Sequence, residues 1–355
     1  MACTAHSDQL PTVEPLQRGG PRPFIPQARG TATGWLALLS VLLFATPVLA
    51  QNPEPTAFLK PYNELPRPAF FGMMDEANKI GLVVSGHMPW SLHPIEAAEA
   101  GMRTIEHARW PGMACNPEHE NFRAMQEKIT QEEGEWDREV FVRYRDAVVA
   151  QFDEARCQEI FSTLVKNDSY LVPTHLTRKM DAFAGDPDYR NDPRRKYVPP
   201  SRLRGWDRDL DNTAKAPQEL LTFYREFFDL GLRVTGMAHK AGVKIMVGTD
   251  VFDTQVFPGF SYHDEPIHLS MAGLSPFEII KAATYRGAEF LQRTDDFGSV
   301  TPGKLADLVL LDADPLLDIQ NAATINRVIF DGKVYDRAEL DTLIQGVEDY
   351  VRRLN

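Results

Sequence analysis

Residues 81–107 read GLVVSGHMPWSLHPIEAAEAGMRTIEH. Leu82–His87 (LVVSGH) and Met102–His107 (MRTIEH) are short apolar runs of strand type. Between them Pro94–Ala100 (PIEAAEA) has helical character and closes on Gly101, a C-cap signal. Strand, helix and strand at this spacing predict a parallel sheet with right-handed crossovers. Two further runs share the pattern, Thr56–Lys60 (TAFLK) and Lys244–Asp250 (KIMVGTD). Each of the four closes on a residue able to bind a metal: Lys60, His87, His107 and Asp250. In a barrel of parallel strands the active site forms at the C-terminal strand ends, so residues scattered in sequence converge there. Two imidazoles, a carboxylate and a lysine at such a face point to metal-assisted hydrolysis.

The alternation extends along the chain. Arg67–Ile80 is helical, and Pro111–Val149 is a charged insertion, helical in its second half. An amphipathic helix over Asp153–Lys166 precedes a strand at Ser169–His175 (SYLVPTH), with Pro173 placing irregularity near its end. Leu176–Pro217, rich in Arg, Asp and Pro, predicts a long loop or lid over the strand ends. Glu219–Ala241 is a long helix stopped by Gly242. Ser275–Gln292 is another, with Ser275 as N-cap and Pro276 at its first position. Leu305–Asp312 and Asn326–Tyr335 predict β-strands with a turn at Asp331-Gly332. A last helix spans Leu340–Leu354.

The 355 residues are 43% apolar and 25% charged, the composition of a folded chain, with a net charge of −12. That acidic balance argues against a nucleic-acid partner, whose phosphates need a basic footprint, and against a polybasic membrane surface. Residues 1–50 differ in kind. Arg18, Arg22 and Arg29 precede the apolar run Trp35–Ala50, which ends on small residues, so export with cleavage near Ala50 is expected. The rival is a membrane anchor through residues 35–50, although the run is short for a span and Pro47 interrupts it. Beyond the leader only Cys115 and Cys157 remain of three cysteines. They make no framework and no metal spacing, and two unpaired, half-buried thiols are expected over a single disulfide.

Three stretches carry a family resemblance. AFLKPYNELPRPAFFGMMDEANKIGLVVSGHMP, EAAEAGMRTIEH, and LSPFEIIKAATYRGAEFL followed by GSVTPGKLADLVLLDADPL resemble the amidohydrolase superfamily, specifically its imidazolonepropionase-like and Xaa-Pro dipeptidase-like members. Together they cover most of residues 56–336. The resemblance implies an α/β fold, a partial TIM-like (β/α) barrel of strands four to eight, followed by a small C-terminal β-element and a terminal helix. The implied division is a leader at 1–50, the barrel segment at 51–300, the β-element at 301–337 and the helix at 338–355.

It also implies a metal centre. Lys60 would be carboxylated and bridge two metals. His87 and His107 would bind the second, more exposed metal, and Asp250 the first, moving a proton from the attacking hydroxide to the leaving nitrogen. Zn²⁺ is the default ion, with Mn²⁺, Co²⁺ and Fe²⁺ suited to similar sites. Tyr62 resembles a substrate-contacting residue of the family. His175 stands between substrate contact and structural residue, with His263 below it, while His93, His119, His239 and His268 read as ordinary hydrogen-bonded residues.

The family's first strand carries a His-x-His pair that this sequence does not contain; the only histidine before His87 is His6. The barrel is therefore expected to begin at its fourth strand, with sheet edges open. Three functions follow: a metal-dependent hydrolase of amide, dipeptide or cyclic-amide C–N bonds; an inactive remnant; or an exported binding or assembly protein using the open edge. The partners are a small-molecule or peptide substrate and, for the sheet, a second copy or another chain completing the barrel.

Overall fold

The computed structural model describes residues 58–131 and 137–354. The expected leader, with its cleavage site and anchor alternatives, and the first residues of the TAFLK run lie outside the described residues. The chain enters at Leu59, which bridges Val84 in parallel. It continues into α1 (Arg67–Ile80), whose inner positions Phe70, Met74 and Ala77 follow helical spacing. Gly81 closes α1 in the left-handed conformation (φ 71°), which a residue without Cβ adopts freely. After β1 (Ser85–Gly86), the helix α2 (Pro94–Glu99) starts on a His93–Glu96 capping box. Next come β2 (Thr104–Glu106), α3 (Arg109–Ala114), α4 (His119–Thr130), α5 (Arg138–Ala150), α6 (Glu154–Lys166) and β3 (Tyr170–Val172).

The segment after β3 departs from expectation. Leu176–Pro217 is not a loop but a set of helices: α7 (Leu176–Phe183), α8 (Pro187–Arg190), a 3-10 turn (Pro193–Tyr197) and α9 (Pro200–Ala214). Its aspartates and prolines start helices rather than interrupt them. Asp186 and Asp192 cap the two short turns through their carboxylates, with Pro at the position where no N–H is needed.

The long helix α10 (Gln218–Lys240) leads to β4 (Lys244–Ile245), then α11 (Ser261–Met271), α12 (Pro276–Ala283) and α13 (Tyr285–Phe290). The single helix expected over 275–292 is two, broken at Thr284 (φ −132°, ψ −75°). The strands are also shorter than their apolar runs; of KIMVGTD only Lys244 and Ile245 pair.

Strands β1 to β4 are parallel and lie side by side in chain order. Their registers align Ser85, Thr104, Tyr170 and Lys244 in one row, so the C-terminal strand ends come out level. One apolar cluster joins Val84, Ile105, Leu171 and Ile245 of the sheet to Phe70 and Met74 of α1, Ile160 and Phe161 of α6, and Val234 and Ala238 of α10. This is an α/β fold built on an open parallel sheet, with no closed barrel among the described residues.

A separate antiparallel sheet follows, of β5 (Leu308–Leu311), β6 (Ile325–Phe330) and β7 (Lys333–Tyr335). The expected turn is there, with Asp331 and Gly332 both at positive φ (48° and 72°), as a two-residue hairpin turn requires. The last helix, α14 (Arg337–Arg352), begins on an Asp336–Glu339 capping box.

The two thiols expected to be free are instead joined. Cys115, at the end of α3, and Cys157, in the first turn of α6, form a disulfide with Cα atoms 5.1 Å apart, and both residues are fully buried. The reason is local: α3 packs against α6, and Asp153 N–H donates to Cys115 O at 2.7 Å, drawing the two segments together.

Candidate metal-binding site

The level strand ends bring four of the singled-out residues to one place. Leu59 N–H donates to Val83 O, Ser85 N–H to Leu59 O and His87 N–H to Pro61 O, so the Lys60 segment runs alongside β1. Gly86 lets it: a Cβ there would sit 2.7 Å from Lys60 Cγ. On the neighbouring strand, His107 N–H donates to Val172 O at 2.7 Å, carrying the pairing past Glu106.

Three residues in this region hold positive φ without being glycine: His107 (70°), Thr174 (46°) and Asp250 (53°). Such conformations persist only where the surroundings enforce them, and they gather at functional sites.

His107 Nε2 lies 2.9 Å from His87 Nε2, while His107 Nδ1 lies 2.6 Å from Thr174 Oγ1. On the other side of His87, Glu106 Oε2 is 3.4 Å from Nδ1 and 2.9 Å from Lys60 Nζ. Asp250 Oδ2 is 3.9 Å from His107 Nε2. The Tyr62 ring lies over His87, with centroids 4.6 Å apart. Both histidines are buried, whereas Tyr62 is 58% exposed and the Asp250 side chain 36%, so the site opens toward solvent on their side.

His175 goes elsewhere. Its ring faces α10, with Nε2 3.1 Å from Thr235 Oγ1 and Phe228 beside it, and it is 2% exposed. His93 caps α2, His119 pairs with Tyr144, and His239 meets Glu278.

Burial holds the His87 imidazole down to about 4, with the positive charges of Lys60 and Arg109 adding to the effect. Burial, with Arg109 next, also holds His107 well below the usual histidine range. Both are therefore neutral at neutral pH, the form whose ring nitrogen donates to a metal.

Whether the residues fit a divalent ion can be judged from these contacts. His107 Nδ1 meets Thr174 Oγ1 and its Nε2 faces His87; the tautomer with the proton on Nδ1 leaves the Nε2 lone pair free for an ion. The two nitrogens are as close as two ligands of one ion sit. His87 Nδ1 is buried without a hydrogen-bond partner, and Glu106 lies on that side. The ligand atoms of His87, Glu106 and His107 all fall within 4.8 Å of one another. The donor set fits a divalent cation.

Glu106 and Thr174 were not singled out from the sequence. Neighbours on a strand point to opposite faces, so a histidine at 107 argues against using Glu106 beside it. The positive φ of His107 breaks that alternation and brings both side chains to the same cluster.

Fold and site together define an α/β protein with a histidine–carboxylate cluster at the ends of its parallel strands. The amidohydrolase resemblance is borne out: residues 226–335, which include Asp250 and run through β7, match the amidohydrolase family model. The segment with Lys60, His87 and His107 lies outside that match. No curated protein matches the chain.

Among solved structures it is similar to a bottromycin amidohydrolase, at 20% identity and a TM-score of 0.54, over 83% of this chain and 59% of that one. A Xaa-Pro dipeptidase with bound methionine in its active site is similar at 19% identity and a TM-score of 0.47, over 79% and 51%. A putative prolidase from Bifidobacterium longum is similar at 22% identity and a TM-score of 0.45, over 79% and 54%. The chain thus spans about half the length of the structures it resembles, and the first of these likenesses speaks to the fold alone.

Proposed function

We propose that the protein is a metal-dependent hydrolase of amide C–N bonds, with its site at Lys60, His87, Glu106, His107 and Asp250. The observation that carries this is the pair of neutral imidazoles facing each other at 2.9 Å, set at strand ends beside an exposed carboxylate. A divalent cation at these nitrogens would act as a Lewis acid and make water a stronger nucleophile at neutral pH. The chain's own groups account for the remainder. Thr174 holds the His107 ring, and Glu106 with Lys60 flanks His87. Asp250, partly open to solvent, would take a proton from the attacking water and return it to the leaving nitrogen. Tyr62 lies where a bound substrate would touch it.

The substrates in view are a small peptide, an N-acyl amino acid or a cyclic amide, with Zn²⁺ the default ion and Lys60 carboxylated where two ions bind. Export is part of the reading and is supported by the buried Cys115–Cys157 disulfide, a bond of oxidising compartments. Among the described residues no helix is long and apolar enough to cross a membrane. The 51–300 barrel segment, the 301–337 β-element and the 338–355 helix are retained as the proposed division.

The test is metal content per chain after incubation with Zn²⁺ and bicarbonate, with hydrolysis assayed beside it. Bound metal that is lost in His107→Ala, with turnover lost in Asp250→Asn, is the expected result. A chain that takes up no metal leaves only the remnant or binding reading. The binding reading has its own support in Phe58 and Leu59, at the sheet edge and 48% and 39% exposed, where a second copy or another chain would pair. A monomer by light scattering would count against it.

A further inference from the structure

The last helix turns apolar side chains toward solvent. Leu343, Val347 and Tyr350 of α14, with Leu354 in the turn that follows, are 58%, 49%, 56% and 48% exposed. Steps of four, three and four residues set them on one line along the helix, the spacing of a seam that packs against another helix. A second apolar line beside it, Leu340, Ile344 and Val351, is the more covered, and Val351 is the one residue of α14 that is buried. The helix therefore docks by one edge of its apolar arc and leaves the other edge open. A continuous apolar line on a surface marks an interaction site.

The outer flank of the seam shows what it fits. Glu339, Gly346 and Arg353 stand there at every seventh residue, an acid at the start, no side chain in the middle and a base at the end. Arg352 is held by Glu348 and Asp349, whereas Arg353 enters no ion pair among the described residues. Glu339 accepts the Asp336 N–H through one oxygen at 3.0 Å, which leaves the other for a cation. A glycine inside a helix costs about 1 kcal/mol against alanine. Gly346 makes no close approach within the chain to account for that, since nothing lies within 4 Å of where its Cβ would stand.

A second α14 packed parallel would set Glu339 against Glu339 and Arg353 against Arg353. Packed antiparallel, each Arg353 would cross the partner's Gly346 toward the partner's Glu339, and the helix dipoles would oppose. Leu343 would then meet the partner's Leu354, and Val347 the partner's Tyr350, about a two-fold axis. We infer that α14 is the contact of a homodimer, paired antiparallel with α14 of a second copy of this chain. The seam and its flank are complementary to themselves under a two-fold axis, which favours a second copy over an unrelated chain. This contact uses none of the sheet edge at Phe58 and Leu59, and it stands whether or not the chain hydrolyses amides.

The experiment is sedimentation of the full chain over a range of concentrations. Wild type should pass from monomer to dimer as concentration rises. Val347→Glu should weaken the dimer by on the order of tenfold or more, since it places a charge at the centre of the contact. Arg353→Glu should weaken it by about threefold or more. Phe58→Glu, at the sheet edge, should leave it unchanged. A chain that stays monomeric, which would assign the seam to another partner, overturns the inference. So does a dimer that survives Val347→Glu.

Disulfide cross-linking tests the direction and does not depend on whether Val347→Glu folds. In a Cys3→Ser background, Leu343→Cys and Leu354→Cys are mixed, with one chain tagged to tell mixed pairs from self pairs. Antiparallel pairing should link the two variants to each other. Neither should link to itself, because like positions would then lie roughly 16 Å apart along the helix. Self-linked Leu343→Cys without the mixed product, or no link at all, would overturn the antiparallel contact.

Discussion

At the residue scale the site depends on how His107 is held. Its Nδ1 has one partner, Thr174 Oγ1, at 2.6 Å, and a ligating imidazole keeps its lone pair aimed only if the other ring nitrogen is fixed. Such supporting partners contribute roughly 10- to 100-fold in metal affinity. Thr174→Val keeps the β-branched shape at this positive-φ position and removes the hydroxyl. It should weaken Zn²⁺ binding within that range while leaving the fold intact, as read by competition with a chromogenic chelator. An unchanged affinity would mean that Thr174 does not orient the ring. Glu106 shows the limit of sequence reading at this scale. That His87 and His107 meet follows from two parallel strands ending on histidine. That Glu106 joins them follows from a single dihedral angle, which no spacing rule encodes.

At the element scale, Glu265 of α11 fastens α7. It is fully buried, accepts N–H bonds from His175 (2.9 Å) and Leu176 (3.3 Å), and lies 3.5 Å from His268 Nδ1. Burial raises its carboxyl to about 7, and burial lowers His175 and His268 each to about 4. The two kinds of shift act in opposite senses. The histidines charge more readily in the unfolded chain, so their contribution is complete above the ordinary value of 6.5 and is lost as pH falls toward 4. Glu265 takes up its proton more readily in the folded chain, so it costs stability as pH rises from 4.5 to about 7.

Between about pH 5 and pH 7 the two histidines outweigh the one glutamate, and this cluster stabilises the fold more as pH rises. Glu265→Gln removes the opposing group. Its loss of stability on going from about pH 7 to about pH 5 should exceed that of wild type by on the order of 2 kcal/mol. Urea midpoints at both pH values measure this, and an equal or smaller loss would refute it. The helices that Glu265 helps to hold are the ones the composition of residues 176–217 conceals. Leu203, Trp206 and Leu210 of α9 have helical spacing, and the latter two are buried. Three apolar positions among so many charges and prolines are too few to stand out, whereas α1 and α10 show their apolar stripes openly.

At the scale of the whole molecule, the Cys115–Cys157 bond ties the charged insertion back to the sheet. It closes a separation of 42 residues that contains α4 and α5, helices that continue no strand of the sheet. The two cysteines, read from the sequence alone, favour free thiols; the approach of α3 to α6 overturns that reading. Cross-linking a loop of this length limits the freedom of the unfolded chain and is worth about 2–4 kcal/mol. The double variant Cys115→Ala/Cys157→Ala should therefore unfold at lower urea by that amount. Wild type in strong reductant should follow it once the buried bond is reached, which requires at least local opening because both residues are 0% exposed. Reduction should accordingly be slow in native buffer and fast near the unfolding midpoint, with free thiols counted by a chromogenic disulfide reagent. Rapid labelling of two thiols in native protein purified without reductant would mean the pair is open, and it would remove the support the bond lends to export.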